Sequence, residues 1–113
     1  MKLYGIPNCD SVKKARSWLN ESGKVYEFHD FKKQGVSTQL LSSWINQVGW
    51  ESLVNKQGTT WRKLSADIQD SVVDPASAIA LMQTHPSLIK RPVLDLGGRL
   101  LIGFKPDIYA SIT

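Results

Sequence analysis

A single cysteine, Cys9, lies where the sequence predicts that a strand ends and a helix begins. Pro7 ends a short apolar segment, and the helical pattern starts at Asp10. A thiol at a helix start faces unpaired backbone N–H groups and the positive end of the helix dipole, and both favour the thiolate form. Lys13, one turn further on, adds positive potential. This position predicts a nucleophilic thiol. The alternative is a lone cysteine packed as a small apolar residue.

The cysteine count limits the redox chemistry. One cysteine in 113 residues excludes an intramolecular disulfide, so any redox cycle through this thiol takes its second thiol from another molecule. A chain without disulfides is typical of a reducing compartment. The first seven residues lack the extended apolar core of a signal peptide, and no apolar stretch approaches the roughly 20 residues that span a bilayer. We expect a cytoplasmic protein that works away from membranes.

The net charge of +4 is carried by separated basic pairs with acidic residues between them. This pattern favours a solvated surface over a nucleic-acid interface, and a basic cleft for an anionic substrate is the second interpretation. The two histidines, His29 and His85, lack the spacing of metal ligands. We therefore expect no nucleic-acid partner, no metal and no bound cofactor.

Hydrophobic periodicity predicts a β-α-β order for the first thirty residues. Residues 2–6 are apolar and aromatic, as in a buried strand, and residues 10–19 have apolar side chains at helical spacing. Residues 24–31 alternate with the period of two that is typical of a strand. In the next segment, residues 36–86, the hydrophobic pattern predicts a block of helices. Within this block the clearest helices start after Ser37, span residues 61–68 and start after Asp74.

The pattern returns to strands near the end of the chain. Residues 91–104 have a central Gly97-Gly98 pair and predict a β-hairpin, and a helix that begins with proline follows. The complete order is β-α-β, helical block, β-β-α, which is the order of an α/β thioredoxin-like fold with a mixed four-stranded sheet. We predict a single domain over residues 1–113, with a helical insertion at about residues 36–86.

Several separated stretches of the chain also form a recognisable pattern. They are residues 4–19, 30–35, 55–64, 89–94 and 102–106. In this order they resemble the ArsC family of arsenate reductase-like proteins, most closely its YffB subgroup, to which the Spx-like proteins are related. The resemblance covers the whole chain and implies the same thioredoxin-like fold.

The resemblance implies a set of site residues around Cys9. Arsenate reductases surround their cysteine with three arginines; Arg62 and Arg91 correspond to two of them, and Lys105 replaces the third. Thioredoxin-like folds also place a cis-proline beside the active cysteine, which implies a cis bond after Arg91. The residues expected to bind substrate or glutathione are Asn8, Lys13 and Pro92.

Two further positions depart from the arsenate reductase pattern. Val12 stands where those enzymes have a serine, and Lys13 stands where they have an arginine. Valine cannot donate a hydrogen bond to a thiolate, and lysine lacks the bidentate fork of arginine. The resemblance therefore implies thiol chemistry, with arsenate reduction disfavoured.

Two functions follow from the resemblance. The first is a glutathione-dependent thiol–disulfide reductase, a monomer that acts on a small thiol, disulfide or oxyanion. Its external reductant is glutathione, either directly or through glutaredoxin. The second is an Spx-like regulator that binds RNA polymerase and senses redox state through a Cys-x-x-Cys pair. Because Val12 replaces the second cysteine of that pair, we favour the enzyme.

Overall fold

The computed structural model describes residues 1–112, which fold as two compact units. The first contains residues 1–34 together with the residues from 91 onward, and we call it the sheet unit. The second, residues 35–90, we call the helical unit. The α/β fold class predicted from the sequence is confirmed, whereas the extent of a single domain stays a prediction.

The sheet unit contains one mixed four-stranded sheet in the order β2-β1-β3-β4. Its strands are β1 (Lys2–Gly5), β2 (Glu27–Asp30), β3 (Val93–Asp95) and β4 (Leu100–Ile102). β1 runs parallel to β2 and antiparallel to β3, and β3 runs antiparallel to β4. The pairing of β1 with β3 therefore joins two ends of the sequence that are about ninety residues apart.

Helix α1 (Asp10–Glu21) connects the two parallel strands, as such a connection requires a crossover element. It buries Val12, Ala15 and Leu19, whose spacings of three and four place them on one helical face. Two short helices, α2 (Phe31–Gln34) and α8 (Pro106–Tyr109), complete the unit in the described residues. One cluster of the core of the sheet unit contains Leu3, Ala15, Leu19, Leu94, Leu101 and Tyr109.

The helical unit is built from short helices, and three of them have a side-chain cap at their start. The helices are α3 (Thr38–Val48), α4 (Trp50–Leu53), α5 (Thr59–Arg62), α6 (Ala66–Asp70), α7 (Pro75–Thr84) and a 3-10 turn (Pro86–Leu88). Ser37 caps α3 and Asp74 caps α7, both as the sequence predicts. An antiparallel bridge between Val54 and Ile89 connects distant parts of the unit. In the part of the chain that the structure describes, no helix is long and apolar enough to cross a membrane.

Two predicted elements were wrong in their extent. The strand predicted over residues 24–31 is shorter, since β2 covers only Glu27–Asp30 and Val25 is 89% exposed. The strand ends because the Asp30 carboxylate accepts the backbone N–H groups of Lys32 (2.9 Å) and Lys33 (3.4 Å), which starts α2.

The second correction concerns residues 61–68, predicted as one helix. They divide between α5 and α6, because Ser65 has an extended backbone and its Oγ accepts from the N–H of Ile68 (3.2 Å). A serine inside an apolar periodic stretch was thus the start of a new helix and not a position within one.

Candidate active site

Cys9 occupies the junction between β1 and α1. Its N–H donates to the carbonyl of Ile6 (3.1 Å), which closes a tight turn, and its carbonyl accepts from Lys13 (2.9 Å) as the first bond of the helix. The backbone is extended at Cys9, which is therefore the N-cap residue of α1. The thiol makes no capping hydrogen bond to the described residues and is partly exposed. A partly accessible sulfur thus lies beside the free N–H groups of a helix start.

The helix that carries Cys9 approaches β1 very closely. Val12 is fully buried, and a Cβ added to Gly5 would lie 2.6 Å from its Cγ2 atom. Only glycine at position 5 permits this approach, because no side-chain carbon tolerates so short a distance. Val12 therefore packs against the strand and holds the first turn of α1 in place. The close packing at Gly5 was not predicted from the sequence, although a glycine at the end of a strand is a signal for it.

The bond between Arg91 and Pro92 is cis, as the resemblance implied. Pro92 is buried and directly precedes β3, whose first residue, Val93, pairs with Tyr4. Because β1 and β3 are antiparallel, the residues just before β3 lie beside the residues just after β1. Arg91 and Pro92 consequently lie at the same end of the sheet as the turn that holds Cys9.

Lys105 follows the last strand at this end of the sheet. The carbonyl of Pro92 accepts from the N–H of Gly103 (2.8 Å), which fixes the segment after β4 next to the cis-proline. Gly103 has a positive φ of 78°, and this turn leads the chain to an exposed Lys105 at the start of α8. Asn8 and Lys13 are exposed on the Cys9 side. The thiol of Cys9 and the cationic side chains of Lys13, Arg91 and Lys105 thus belong to residues at one end of the sheet unit.

Arg62 belongs to the other unit. It is the last residue of α5 and is exposed to solvent. The role of Arg62 as a cationic residue around Cys9 stays a prediction, as do the individual roles of the other site residues. Among residues 1–112, no group of three or more histidine, cysteine, aspartate or glutamate side chains is arranged to hold a metal ion. The ring of His29 packs against the ring of Tyr4 at an angle of 43°, with the ring centroids 4.8 Å apart.

Comparison with known proteins agrees with this fold. The family model described as "ArsC family" matches residues 4–112, so the chain belongs to the ArsC family. The protein thus has the fold of the arsenate reductase-related thiol oxidoreductases, and the family and fold predicted from the sequence are confirmed.

Three proteins of known structure or known name are similar to this chain over most of its length. A solved structure of a protein named YFFB is 51% identical, with a TM-score of 0.92 over 97% of this chain and 96% of that one. An arsenate reductase (ArsC) related protein from Brucella melitensis is 49% identical, with a TM-score of 0.77 over 98% of this chain and 92% of its own. The global transcriptional regulator Spx of Streptococcus mutans is 30% identical over 93% of this chain and 77% of its own length.

Proposed function

We propose that this protein is a glutathione-dependent thiol–disulfide reductase in which Cys9 is the nucleophile. The observation that carries the proposal is the position of Cys9 as the uncapped N-cap of α1, at the end of the sheet that also holds the cis Arg91–Pro92 bond. Free N–H groups at a helix start stabilise a thiolate, and the thiolate is the form of cysteine that attacks disulfides.

The proposed reaction is two successive thiol–disulfide exchanges. In the first, the Cys9 thiolate attacks the glutathione sulfur of a mixed disulfide, a new S–S bond forms, and the substrate thiolate leaves with the electron pair of the broken bond. In the second, the thiolate of free glutathione attacks the same glutathione sulfur on the enzyme. This step releases oxidised glutathione and regenerates the Cys9 thiolate. Because the chain has one cysteine, the second thiol must come from another molecule.

The cations of the site suit anionic reactants. Glutathione has two carboxylates, and a thiolate leaves in each step, so Arg91, Lys105 and Arg62 are assigned to stabilise negative charge. Asn8, Lys13 and Pro92 are assigned to contact glutathione. Arg91 is partly buried, whereas Lys105 and Arg62 are exposed. Since solvent screens exposed charges, Arg91 is expected to contribute most.

Arsenate is expected to be a poor substrate. Val12 packs against Gly5 in the core and offers no hydrogen-bond donor. Lys105 provides a point charge where the resemblance implies an arginine fork. A disulfide tolerates both changes better than a multiply charged oxyanion, because its leaving group is a single thiolate.

An Spx-like regulatory role is the second candidate, and the 30% identity to the Streptococcus mutans regulator favours it. A regulator that senses redox state through a cysteine pair needs a second cysteine, which this chain lacks. Binding to purified RNA polymerase, unchanged by oxidation, would support this second function.

The test is a coupled assay that follows NADPH oxidation with glutathione reductase, glutathione and the mixed disulfide of glutathione with 2-mercaptoethanol. We expect Arg91→Ala to lose about 1.5 to 3 kcal/mol of transition-state stabilisation, as for a charge-assisted contact. Arg62→Ala is the matched control and should lose less.

Runs of the same assay with and without glutaredoxin identify the direct electron donor, and arsenate replaces the disulfide in a parallel run. Wild-type turnover of arsenate but not of the disulfide would contradict the proposal.

A further inference from the structure

A groove of about 340 Å³ runs along α1 in the sheet unit, starting one turn beyond Cys9. Its floor is aromatic and its rim is charged. The residues that line it are Lys13, Lys14, Ser17, Trp18, Glu21 and Phe104.

The aromatic floor is fixed by a buried third ring. Trp18 and Phe104 are partly exposed, and each packs at nearly a right angle on Tyr109, with centroids 5.5 and 4.8 Å from it. Tyr109 is fully buried, and this burial raises the pKa of its phenol, which therefore stays neutral. Edge-to-face contacts of this kind hold rings in defined orientations. The floor is thus a preformed apolar surface for a side chain of a ligand.

The charges of the rim follow a fixed order along the helix. Lys14, Trp18 and Glu21 recur at spacings of four and three, so they lie in one line on the helix surface. From the Cys9 end outward, the groove therefore offers cationic, aromatic and anionic groups in turn. A complementary ligand has the order acidic, apolar, basic.

The length of the groove indicates what kind of ligand fits. From Cys9 to Glu21 the helix rises about 18 Å, and an extended peptide advances about 3.3 Å per residue. The distance from Cys9 to the far end of the groove therefore matches about five residues of extended chain. Glutathione has one residue on each side of its cysteine and cannot reach the far end when its sulfur is at Cys9.

We propose that this groove binds the polypeptide segment next to the glutathionylated cysteine of a protein substrate. The segment is extended, with an acidic residue nearest the disulfide, an apolar or aromatic residue next and a basic residue farthest away. The inference rests on the proposed function, because the peptide thiolate is the group that leaves when Cys9 takes the glutathione. It makes the preferred substrates glutathionylated proteins with this order of charges.

The experiment compares two glutathionylated peptides of identical composition. In one, the residues beyond the cysteine follow the order acidic, aromatic, basic; in the other, the order is reversed. Both are made with the segment on either side of the cysteine. Each kcat/KM is divided by the value for the glutathione mixed disulfide of 2-mercaptoethanol, so that changes in Cys9 reactivity cancel. We expect a preference of about threefold to tenfold for the first order, the effect of two exposed charge contacts.

A charge-swapped variant is the matched control. Lys14→Glu combined with Glu21→Lys keeps the composition and net charge of the protein and should reverse the preference. In 1 M salt, where the Debye length is about 3 Å, the preference should disappear. Equal rates for both peptide orders, or an unchanged preference in the swapped variant, would overturn the proposal. A swap that alters only the reaction of free glutathione would assign the groove to glutathione instead.

A binding measurement separates this inference from the proposed function. Labelled, reduced peptides are titrated by fluorescence anisotropy against Cys9→Ser, which performs no exchange. The same preference in dissociation constants, with no turnover by the wild type, would support the groove and contradict the reductase. Turnover of the small disulfide without any preference would support the reductase and contradict the groove.

Discussion

Three helices of the helical unit and the main helix of the sheet unit begin in different ways. Three helices of the helical unit start at a residue whose oxygen accepts a backbone N–H: Ser37 from Leu40, Ser65 from Ile68 and Asp74 from Ser77. The main helix of the sheet unit, α1, starts at Cys9, whose side chain makes no such bond within the described residues. A side-chain cap contributes about 0.5 to 2 kcal/mol. The three capped starts thus contribute to stability, whereas α1 leaves its first N–H groups available to a thiolate or ligand.

The largest effect should come from Cys9→Ser, which gives α1 the kind of cap found in the helical unit. Removing the nucleophile should lower disulfide turnover more than about a thousandfold. Because the extended backbone of Cys9 suits an N-cap, the serine oxygen should raise the free energy of unfolding by about 0.5 to 2 kcal/mol. Coupled assays and urea unfolding measure the two changes. A variant that is inactive and also less stable would show that the thiol itself supports the helix start.

Gly5→Ala should have the next largest effect, because it pushes the start of α1 away from β1. The new Cβ begins 2.6 Å from Val12 and needs about 0.8 Å more to reach ordinary contact. Buried valine in a helix has one strongly preferred rotamer, so the helix must move. A displacement near 1 Å of a positioned catalytic group can cost about a hundredfold in rate, and we expect a ten- to hundredfold slower turnover of the glutathione mixed disulfide.

The double variant Gly5→Ala with Val12→Ala is the control for this displacement. It removes the two methyl groups nearest the added carbon, and the next atom, the Cβ of Val12, is at 3.7 Å. Its turnover of the glutathione mixed disulfide should therefore be faster than that of Gly5→Ala, although the cavity from Val12→Ala lowers stability. A double variant as slow as the single one would remove the helix–strand contact as the cause.

A smaller effect, confined to stability, is expected from Ser65→Ala in the helical unit. The variant loses the cap of α6, which should lower the free energy of unfolding by about 0.5 to 2 kcal/mol. The rate of Cys9 alkylation should not change. Ser65→Asp restores an oxygen acceptor and should recover most of the loss. A slower alkylation of Cys9 in Ser65→Ala would mean that the two units are coupled in function.

The smallest effect is the pH dependence of the cap at Asp74. Hydrogen bonds from the backbone and hydroxyl of Ser77 lower the pKa of Asp74 below its ordinary value of 3.8. Its contribution is therefore complete above the unfolded-state pKa and is lost as the pH falls through the lowered pKa of the folded state. Asp74→Asn keeps an acceptor without this titration. The gap in Tm between wild type and Asp74→Asn should shrink from pH 7 to pH 3, and a constant gap would contradict this cause.

The sequence predicted those elements whose signals are local. The helix of residues 10–19 and the caps at Ser37 and Asp74 each follow from a few neighbouring residues, and all three agree with the structure. The error at residues 61–68 had a local cause too, since Ser65 has the same type as the correctly predicted cap at Ser37. Periodicity outweighed the capping signal there, because the apolar residues on both sides continue a helical spacing.

The tertiary contacts of the site were less accessible to sequence reasoning. The resemblance supplied the cis bond before Pro92, but nothing local reveals that Gly103 binds the carbonyl of that proline. The contact between Gly5 and Val12 also depends on how α1 packs on the sheet. The aromatic groove was hidden for the same reason, since Trp18 and Phe104 are far apart in sequence and meet through Tyr109.

The close approach of Gly5 and Val12 has an evolutionary consequence. Two positions that share so little space are not free to change independently, so substitutions at them should be correlated among members of the ArsC family. Where position 12 holds a β-branched aliphatic residue, as in this chain, we expect glycine at position 5. Where position 12 holds a smaller residue such as serine or cysteine, position 5 can accept a side chain. The acquisition of a polar group three residues after the nucleophile therefore depends on the identity of a residue in the preceding strand, and the two changes are expected to occur together.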